Sequence, residues 1–536
     1  MSEKMRGIGL TVLAGLVASA LMSLVPAAAW AQTYSGVLTW HNDNQRTGQY
    51  LNETILTPQN VNKKQFGKLF TYAVDGQIYA QPLYVSSVPI PGQGLHNVVY
   101  VATENDSVYA FDADGLSATP LWQDSFIDPA NGVTPVPCTD TGNGGCTGIS
   151  PQFGITGTPV IDGTSGTLYA VAFTKENGTY VYRIHALDIT SGAEKFGGPV
   201  VIQASVPGTG SGSIGGMITF DPLNQCQRTA LLLSQSVVYM GWGTVSSVPW
   251  HGWIMGYDAQ TLAQATVYND TANGKNGGIW ASGNGFAADA NGNIYTVTAD
   301  GTFDGNTGGI DYGDSFLKLG ATGGLSVDDY FTPYNQLYLT EHDLDLGSGG
   351  PMILPAQPGP YPDELIGAGK QGLIYLVNRD NMGGYSSTTN NNIQTVTTTT
   401  SGFWSSPAYW RGAVYYSGVK GYLSRYTLTS GLLSTTPASQ APMAFTYPGS
   451  TPSISANVAS NGIVWAISTG GRPSGGPPAI LHAYVAANVS HVLYGSNQAG
   501  TRDQPGPGVK FSVATIANGK VYIGTQTDLD IYGLLP

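Results

Sequence analysis

Charge is scarce in this chain: only 10% of its 536 residues are Asp, Glu, Lys or Arg. What charge there is leans acidic, with 34 carboxylates against 21 Lys and Arg for a net of −13, and no basic block occurs. Phosphate backbones and anionic membrane surfaces are held by clustered cations, so neither nucleic acid nor such a membrane is an expected partner. Cysteine is nearly absent too, with only Cys138, Cys146 and Cys226. No further Cys/His pair completes a zinc set and no Cys-x-x-Cys-His occurs, which argues against structural zinc and covalently attached haem. In an oxidising compartment Cys138 and Cys146 would close the small loop CTDTGNGGC and leave Cys226 single. Past the N-terminus there is no run of about 18 apolar residues, so no transmembrane anchor is expected after processing. There is no G-x-S-x-G elbow, and the many G-x-G strings lack the strand–helix setting of a phosphate loop.

Glycine, tyrosine and repetition are plentiful. The chain holds 73 Gly and 31 Tyr, and 41% of it is hydrophobic, too apolar and too evenly aromatic for a disordered polymer. The first residues have a short charged start, an apolar run and a small-residue end at Ala29-Trp30-Ala31. This pattern predicts a secretory signal peptide over residues 1–31, cleaved after Ala31, and hence a periplasmic or extracellular protein. Residues 32–66 are polar and read as a strap leading into the domain.

From residue 67 a module repeats: a strand, a Gly- or Asn-rich turn, a strand commonly ending in Val-Tyr, a loop, and a strand ending near an Asp and a turn. Second strands are marked by Tyr100, Tyr169, Tyr239, Tyr295, Gly367, Tyr415, Trp465 and Tyr522. Third strands follow as SVYAFDADG, RIHALDITSG, WIMGYDAQTL and five looser copies. Eight such modules predict an all-β fold, an eight-bladed β-propeller over residues 67–536. The last module stops after its third strand, and a spare strand, FGKLFTYAV at 66–74, precedes the first. The simplest ring closure pairs the two. Two β-sandwich domains are the alternative, but the periodicity runs unbroken.

One module carries unusual chemistry. Residues 277–305 hold Trp280, a hairpin around Asp289-Ala-Asn-Gly, and then a loop with Asp300 and Asp304. The carboxylates and amides that follow, Asn306, Asp311 and Asp314, offer the oxygens a structural calcium takes, though not in the order of an EF-hand; Asx turns would use the same residues. His251, between tryptophans in PWHGW, reads as a structural histidine rather than a base.

The third strands AFDADGLSATPLW, HALDITSGAEKF and GYDAQTLAQ resemble the A-x-D-x-x-T-G-x-x-x-W repeat of the quinoprotein propellers. That superfamily includes the pyrroloquinoline quinone (PQQ) alcohol dehydrogenases and a non-catalytic outer-membrane assembly propeller, and the resemblance covers nearly the whole mature chain. Single segments resemble the dehydrogenases as well. GGIWASGNGFAADANGNIYTVTADG is similar to their tryptophan–hairpin–T-G-N segment, which implies Trp280 as the floor under the quinone and Asp300 as a calcium ligand. EHDLDLGSGGPMILP resembles their H-D-x-W-D stretch and implies Asp345, with Asp343 second, as the catalytic base. GAGKQGLIYLVNRDN implies Lys370 as the lysine bonded to the quinone, and TKENGTYVYRIHALD implies Glu176 as a further metal ligand.

On this resemblance the cofactors are PQQ and calcium, and the substrate is a small alcohol or sugar with an external electron acceptor. If the resemblance carries fold alone, the propeller binds a protein, glycan or cell-surface component instead. The chain departs from the family in four ways. Asp300 replaces an Asn, the Trp of H-D-x-W-D is missing, no adjacent cysteine pair occurs, and several modules lack the repeat's Trp.

Overall fold

Short β-branched and aromatic strands between tight turns have two apolar faces and can bury both only by stacking sheet on sheet. The computed structural model, which describes residues 33–141, 148–244, 250–321, 323–471 and 474–536, shows this arrangement. The predicted signal peptide and Cys146 lie outside the described residues, and the Cys138–Cys146 pairing lies outside them too. Among the described residues Cys226 is a free, buried thiol.

The strands form eight blade sheets, antiparallel except where the short strands Gln49–Tyr50 and Gly384–Tyr385 add in parallel, together with a separate hairpin of Ser205–Pro207 and Met217–Thr219. Each second strand pairs with the third strand after it. The longest case, Thr167–Glu176 against Thr179–Asp188, runs from Thr167↔Asp188 to Glu176↔Thr179. In the eighth blade the fourth strand is Phe66–Ala73, which pairs antiparallel with Asp528–Leu534 (Phe66↔Leu534). No helix among the described residues is long and apolar enough to cross a membrane.

The repeated tyrosine has a structural reason. Tyr100, Tyr169, Tyr415 and Tyr522 are all buried, at most 2% exposed. Each donates its hydroxyl to a backbone carbonyl just past the third strand of the next blade, at Ile189, Ala259, Ala486 and Ala113 respectively. The ring fills the space between two sheets while the hydroxyl fixes their register.

The strap does more than lead in. Gly36–Val37 pairs with the inner strand of the first blade, and Gln49–Tyr50 pairs in parallel with that of the seventh. Between them, backbone carbonyls of Leu38, Asn44, Gln45 and Thr47 accept the N–H groups of Ile161, Ala288, Ile353 and Tyr409, on the second, fourth, fifth and sixth blades. Arg46, with no exposed surface, donates to the carbonyls of Phe286, Leu231 and Trp40 and to Thr39 Oγ1. Glu53 then accepts the Gly519 N–H of the eighth blade at 3.0 Å. The strap is a hub that ties the inner strands together.

Candidate functional site

Loops from the second to the eighth blades surround a cavity of about 560 Å³. Trp40 of the strap packs with Ala230 and Val513, a few residues along the chain from the cavity-lining Arg228 and Lys510. Trp280, Asp300, Asp343, Asp345 and Lys370 all line this space.

Local backbone geometry sets the position of each. Trp280 follows Ile279, whose N–H bonds to the Trp242 carbonyl, and its Cβ lies where a side chain on Gly243 would sit, 2.6 Å away. Only glycine allows that approach. Gly277, at φ +90°, passes so close to buried Asp270 that a Cβ would meet its carboxylate at 2.4 Å. Asp270 accepts the N–H groups of Gly252 and Gly278, and burial raises its carboxyl to about 7. The next turn carries Asp300, whose carbonyl accepts the Gly277 N–H. The short helix Gln336–Glu341 supports the same turn through Gln336 and Thr340 at Gly301.

Asp300, Asp343 and Asp345 present carboxylate oxygens within 4.8 Å of one another. Lys370 sits among them. Its Nζ lies 2.7 Å from Asp345 Oδ2 and contacts Asp343 Oδ1 as well. The same ammonium stands over the Trp280 ring, 5.8 Å from its centroid. The Asp300 N–H donates to Asp345 Oδ1 at 3.1 Å, while Asp300 Oδ1 is buried with no partner among the described residues.

Electrostatics follow from the crowding. Burial pushes the Asp300 carboxyl up to about 10, with the charges of Asp345 and Asp314 adding to it. Burial raises Asp314 to about 8, although it accepts from the Leu346 N–H and Thr340 Oγ1. Burial opposes the charge on Lys370, but Asp345 and Asp343 outweigh it and hold the ammonium above the ordinary lysine range.

Glu176 is placed elsewhere. It sits at the end of the second-blade hairpin, where Arg183 donates to both of its oxygens at 2.7 and 2.8 Å. Bonding to Arg183 lowers its carboxyl. It is not among the cavity's lining residues. Glu176 ends its strand at the hairpin tip, and Arg183 of the partner strand claims it.

Asp304, Asn306 and Asp311 form a separate loop. Asp304 Oδ1 accepts the Asp311 N–H at 2.8 Å and Asp311 Oδ1 accepts the Asn273 N–H at 3.0 Å, while Asn306 is exposed. The Asp304 and Asp311 oxygens serve loop bonds, and the only acidic, Cys or His group among the described residues spaced to share one ion is Asp300, Asp343 and Asp345. His251 is buried and held at both ring nitrogens, by Thr271 Oγ1 and the Ser211 carbonyl, and burial lowers its pKa.

Sequence reasoning missed the remaining walls. Arg228, Trp404, Tyr447, Lys510 and Phe511 line the cavity from blades that carry no segment resembling a known site. Lysine is infrequent here, and Lys510 and Phe511 sit in a turn ahead of the inner strand Thr515–Ala517, but nothing local marks the lysine as inward-facing.

No protein-family model matches the chain, and no curated protein matches it. Solved structures do. The fold is similar to a quinohemoprotein alcohol dehydrogenase from Comamonas testosteroni (TM-score 0.57, 14% identity, covering 93% of this chain and 80% of that one). It is similar likewise to a quinohemoprotein alcohol dehydrogenase from Pseudomonas putida HK5 (TM-score 0.59, 14% identity, the same coverage of 93% and 80%). At such identity the likeness is one of fold, and the fold is an eight-bladed β-propeller like theirs.

Proposed function

We propose that the cavity is the active site of an exported, quinone-dependent dehydrogenase that oxidises an alcohol or sugar and passes the electrons to an external acceptor. The observation that carries this reading is the convergence of Trp280, Asp300, Asp343, Asp345 and Lys370, spread over about ninety residues, on one cavity. The residues fit the cofactor the resemblance implies. Trp280 offers an aromatic face for a planar ring, Lys370 an ammonium donor, and the three carboxylates a set of hard oxygens for a calcium ion. Asp300 Oδ1, buried and without a partner among the described residues, is a ligand atom in want of one.

When bound, the quinone supplies the two-electron acceptor and the cation polarises it. The chain's own residues do the rest. Asp345 takes the hydroxyl proton of the substrate at Oδ2, the oxygen that faces Lys370, and the Asp300 N–H holds its other oxygen and fixes the plane of the carboxylate. Asp300, Asp343 and Asp345 are the residues that would hold the cation, whose charge would favour the ionised form of Asp300. Lys370 stabilises negative charge that develops beside it. The aromatic walls keep water from the reacting atoms.

The test is a titration of the metal-stripped mature chain with PQQ and Ca²⁺, followed by absorbance and thermal melting. Calcium-dependent quinone binding that raises the melting temperature, and that Trp280→Ala or Lys370→Ala abolishes, supports the reading; dye-linked alcohol and sugar assays come next. No binding at high quinone and calcium ends it. One observation favours a second reading. Lys370 already pairs with both Asp343 and Asp345, so two of the three carboxylates are satisfied without any cation. A non-catalytic propeller that binds a protein or glycan would show this arrangement and would ignore both quinone and calcium.

A further inference from the structure

The wall of the cavity contributed by the third and eighth blades is cationic. Arg228 and Lys510 both line the cavity and each is only 7% exposed. The Arg228 guanidinium lies 5.2 Å from the Phe511 ring centroid and 5.7 Å from that of Tyr79, and Lys510 Nζ lies 5.6 Å from the Phe511 centroid. Neither belongs to any ion pair within 4.0 Å among the described residues. Two buried like charges without a counter-ion are costly, and chains keep them where a ligand provides the anion.

The other groups facing the pair do not fill that need. Glu104 gives Oε2 to the Gly154 N–H and Thr156 Oγ1, and burial raises its carboxyl to about 7. Burial raises the thiol of Cys226 and the phenols of Tyr79 and Tyr447. Burial, with the charge of Arg228 beside it, brings Lys510 down to about 7. The cavity is therefore dipolar, with carboxylates and Lys370 on one wall and an uncompensated Arg–Lys pair on another.

We propose that Arg228 and Lys510 form an anion subsite that takes the carboxylate of a small organic acid. The subsite stands without any quinone. Resting on the dehydrogenase reading, it makes the substrate an acidic alcohol, a hydroxy acid or sugar acid, whose carboxylate sits against Arg228 and Lys510 while its hydroxyl points to Asp345. Guanidinium binds carboxylate through paired N–H donors, and an ammonium adds a point charge.

The experiment is calorimetric titration of the full mature chain, free of quinone and metal, with glycolate, gluconate and galacturonate against neutral ethylene glycol, glucose and galactose. The acids are expected to bind at least tenfold tighter than their neutral partners. Arg228→Gln and Lys510→Met each remove tenfold or more of the acid affinity, and Lys510→Arg retains it. Between pH 6 and 8.5 acid affinity falls in the wild type, as Lys510 loses its proton and Glu104 gains charge beside Arg228, and falls less steeply in Lys510→Arg, where only Glu104 titrates.

Equal affinity for acids and neutral compounds, or acid binding unaltered by Lys510→Met, overturns the proposal. If Lys510→Met does not fold, as judged by its melting curve, the pH profile of Lys510→Arg against wild type decides. A second arm repeats the acid titration with PQQ and Ca²⁺ present. Simultaneous binding supports a substrate subsite, whereas mutual exclusion assigns the two cations to the quinone's own carboxylates and overturns the substrate assignment. Failure of the chain to bind quinone removes the dehydrogenase reading and leaves the discrimination between acid and neutral ligands intact.

Discussion

Lys370 and Asp345 are joined twice: the lysine Nζ lies 2.7 Å from Asp345 Oδ2, and the lysine backbone N–H bonds to the Asp345 carbonyl at 3.0 Å. The backbone bond sets the distance between the two loops and the ion pair neutralises the acid they bring into the cavity. Removing the ammonium leaves Asp300, Asp343 and Asp345 facing one another. Lys370→Met is expected to lose about 3–5 kcal/mol at pH 7.5. Millimolar Ca²⁺ should restore part of that loss by taking the place of the ammonium. Thermal melts of the variant with calcium and with chelator measure both effects, and a melt indifferent to calcium would show that the carboxylates cannot share an ion.

Asp300 and Asp345, joined by the Asp300 N–H, respond unequally to amide replacement. Asp300 is raised to about 10 and is neutral at pH 7, so Asp300→Asn replaces one neutral group by another and should change stability by less than about 1 kcal/mol. Asp345→Asn removes a partner of Lys370 and should cost several times as much, on the order of 3 kcal/mol. Denaturant titrations of the two variants side by side separate these outcomes. Equal losses would mean that Asp300 is ionised in the folded chain.

Glu364 gives a pH prediction. It is 0% exposed, neither of its oxygens has a partner among the described residues, and burial raises it to about 7 from 4.5. The folded chain keeps this proton after the unfolded chain has released it, so the group's contribution to stability falls as pH climbs from about 4.5 to 7 and is level above. Glu364→Gln cannot ionise. The variant should match the wild type at pH 4 and exceed it at pH 8 by up to about 3 kcal/mol. Melting temperatures across that range provide the check.

Arg46 gives the largest expected loss away from the cavity. Arg46→Met leaves the carbonyls of Phe286 and Leu231 without their donor at the hub of the blades. With each buried acceptor worth about 1 kcal/mol or more, the variant should lose about 3–5 kcal/mol and unfold at lower denaturant with an unchanged slope. A changed slope would mean that the strap detaches while the blades stay folded.

The repeat of Val-Tyr strands and Asp-turn thirds is a local pattern, and local pattern is what sets strand and turn. Hence the eight sheets, the second–third strand pairings and the stretch around Trp280 were legible in the residues themselves. So was the grouping of Trp280, Asp300, Asp343, Asp345 and Lys370 as candidates, because the segments that hold them stand in a recognisable order.

Three things depended on the ring. The strap reads as an undistinguished polar leader, yet closing the ring placed its strands, carbonyls, Arg46 and Glu53 against all eight blades. Glu176 reads as a metal ligand, but a cross-strand register put Arg183 beside it. Arg228 and Lys510 lie nearly three hundred residues apart, and no local signal joins them. A propeller brings distant loops to one axis by geometry alone, so a site shared among blades is decided by where each inner strand ends and not by anything written near it in the chain.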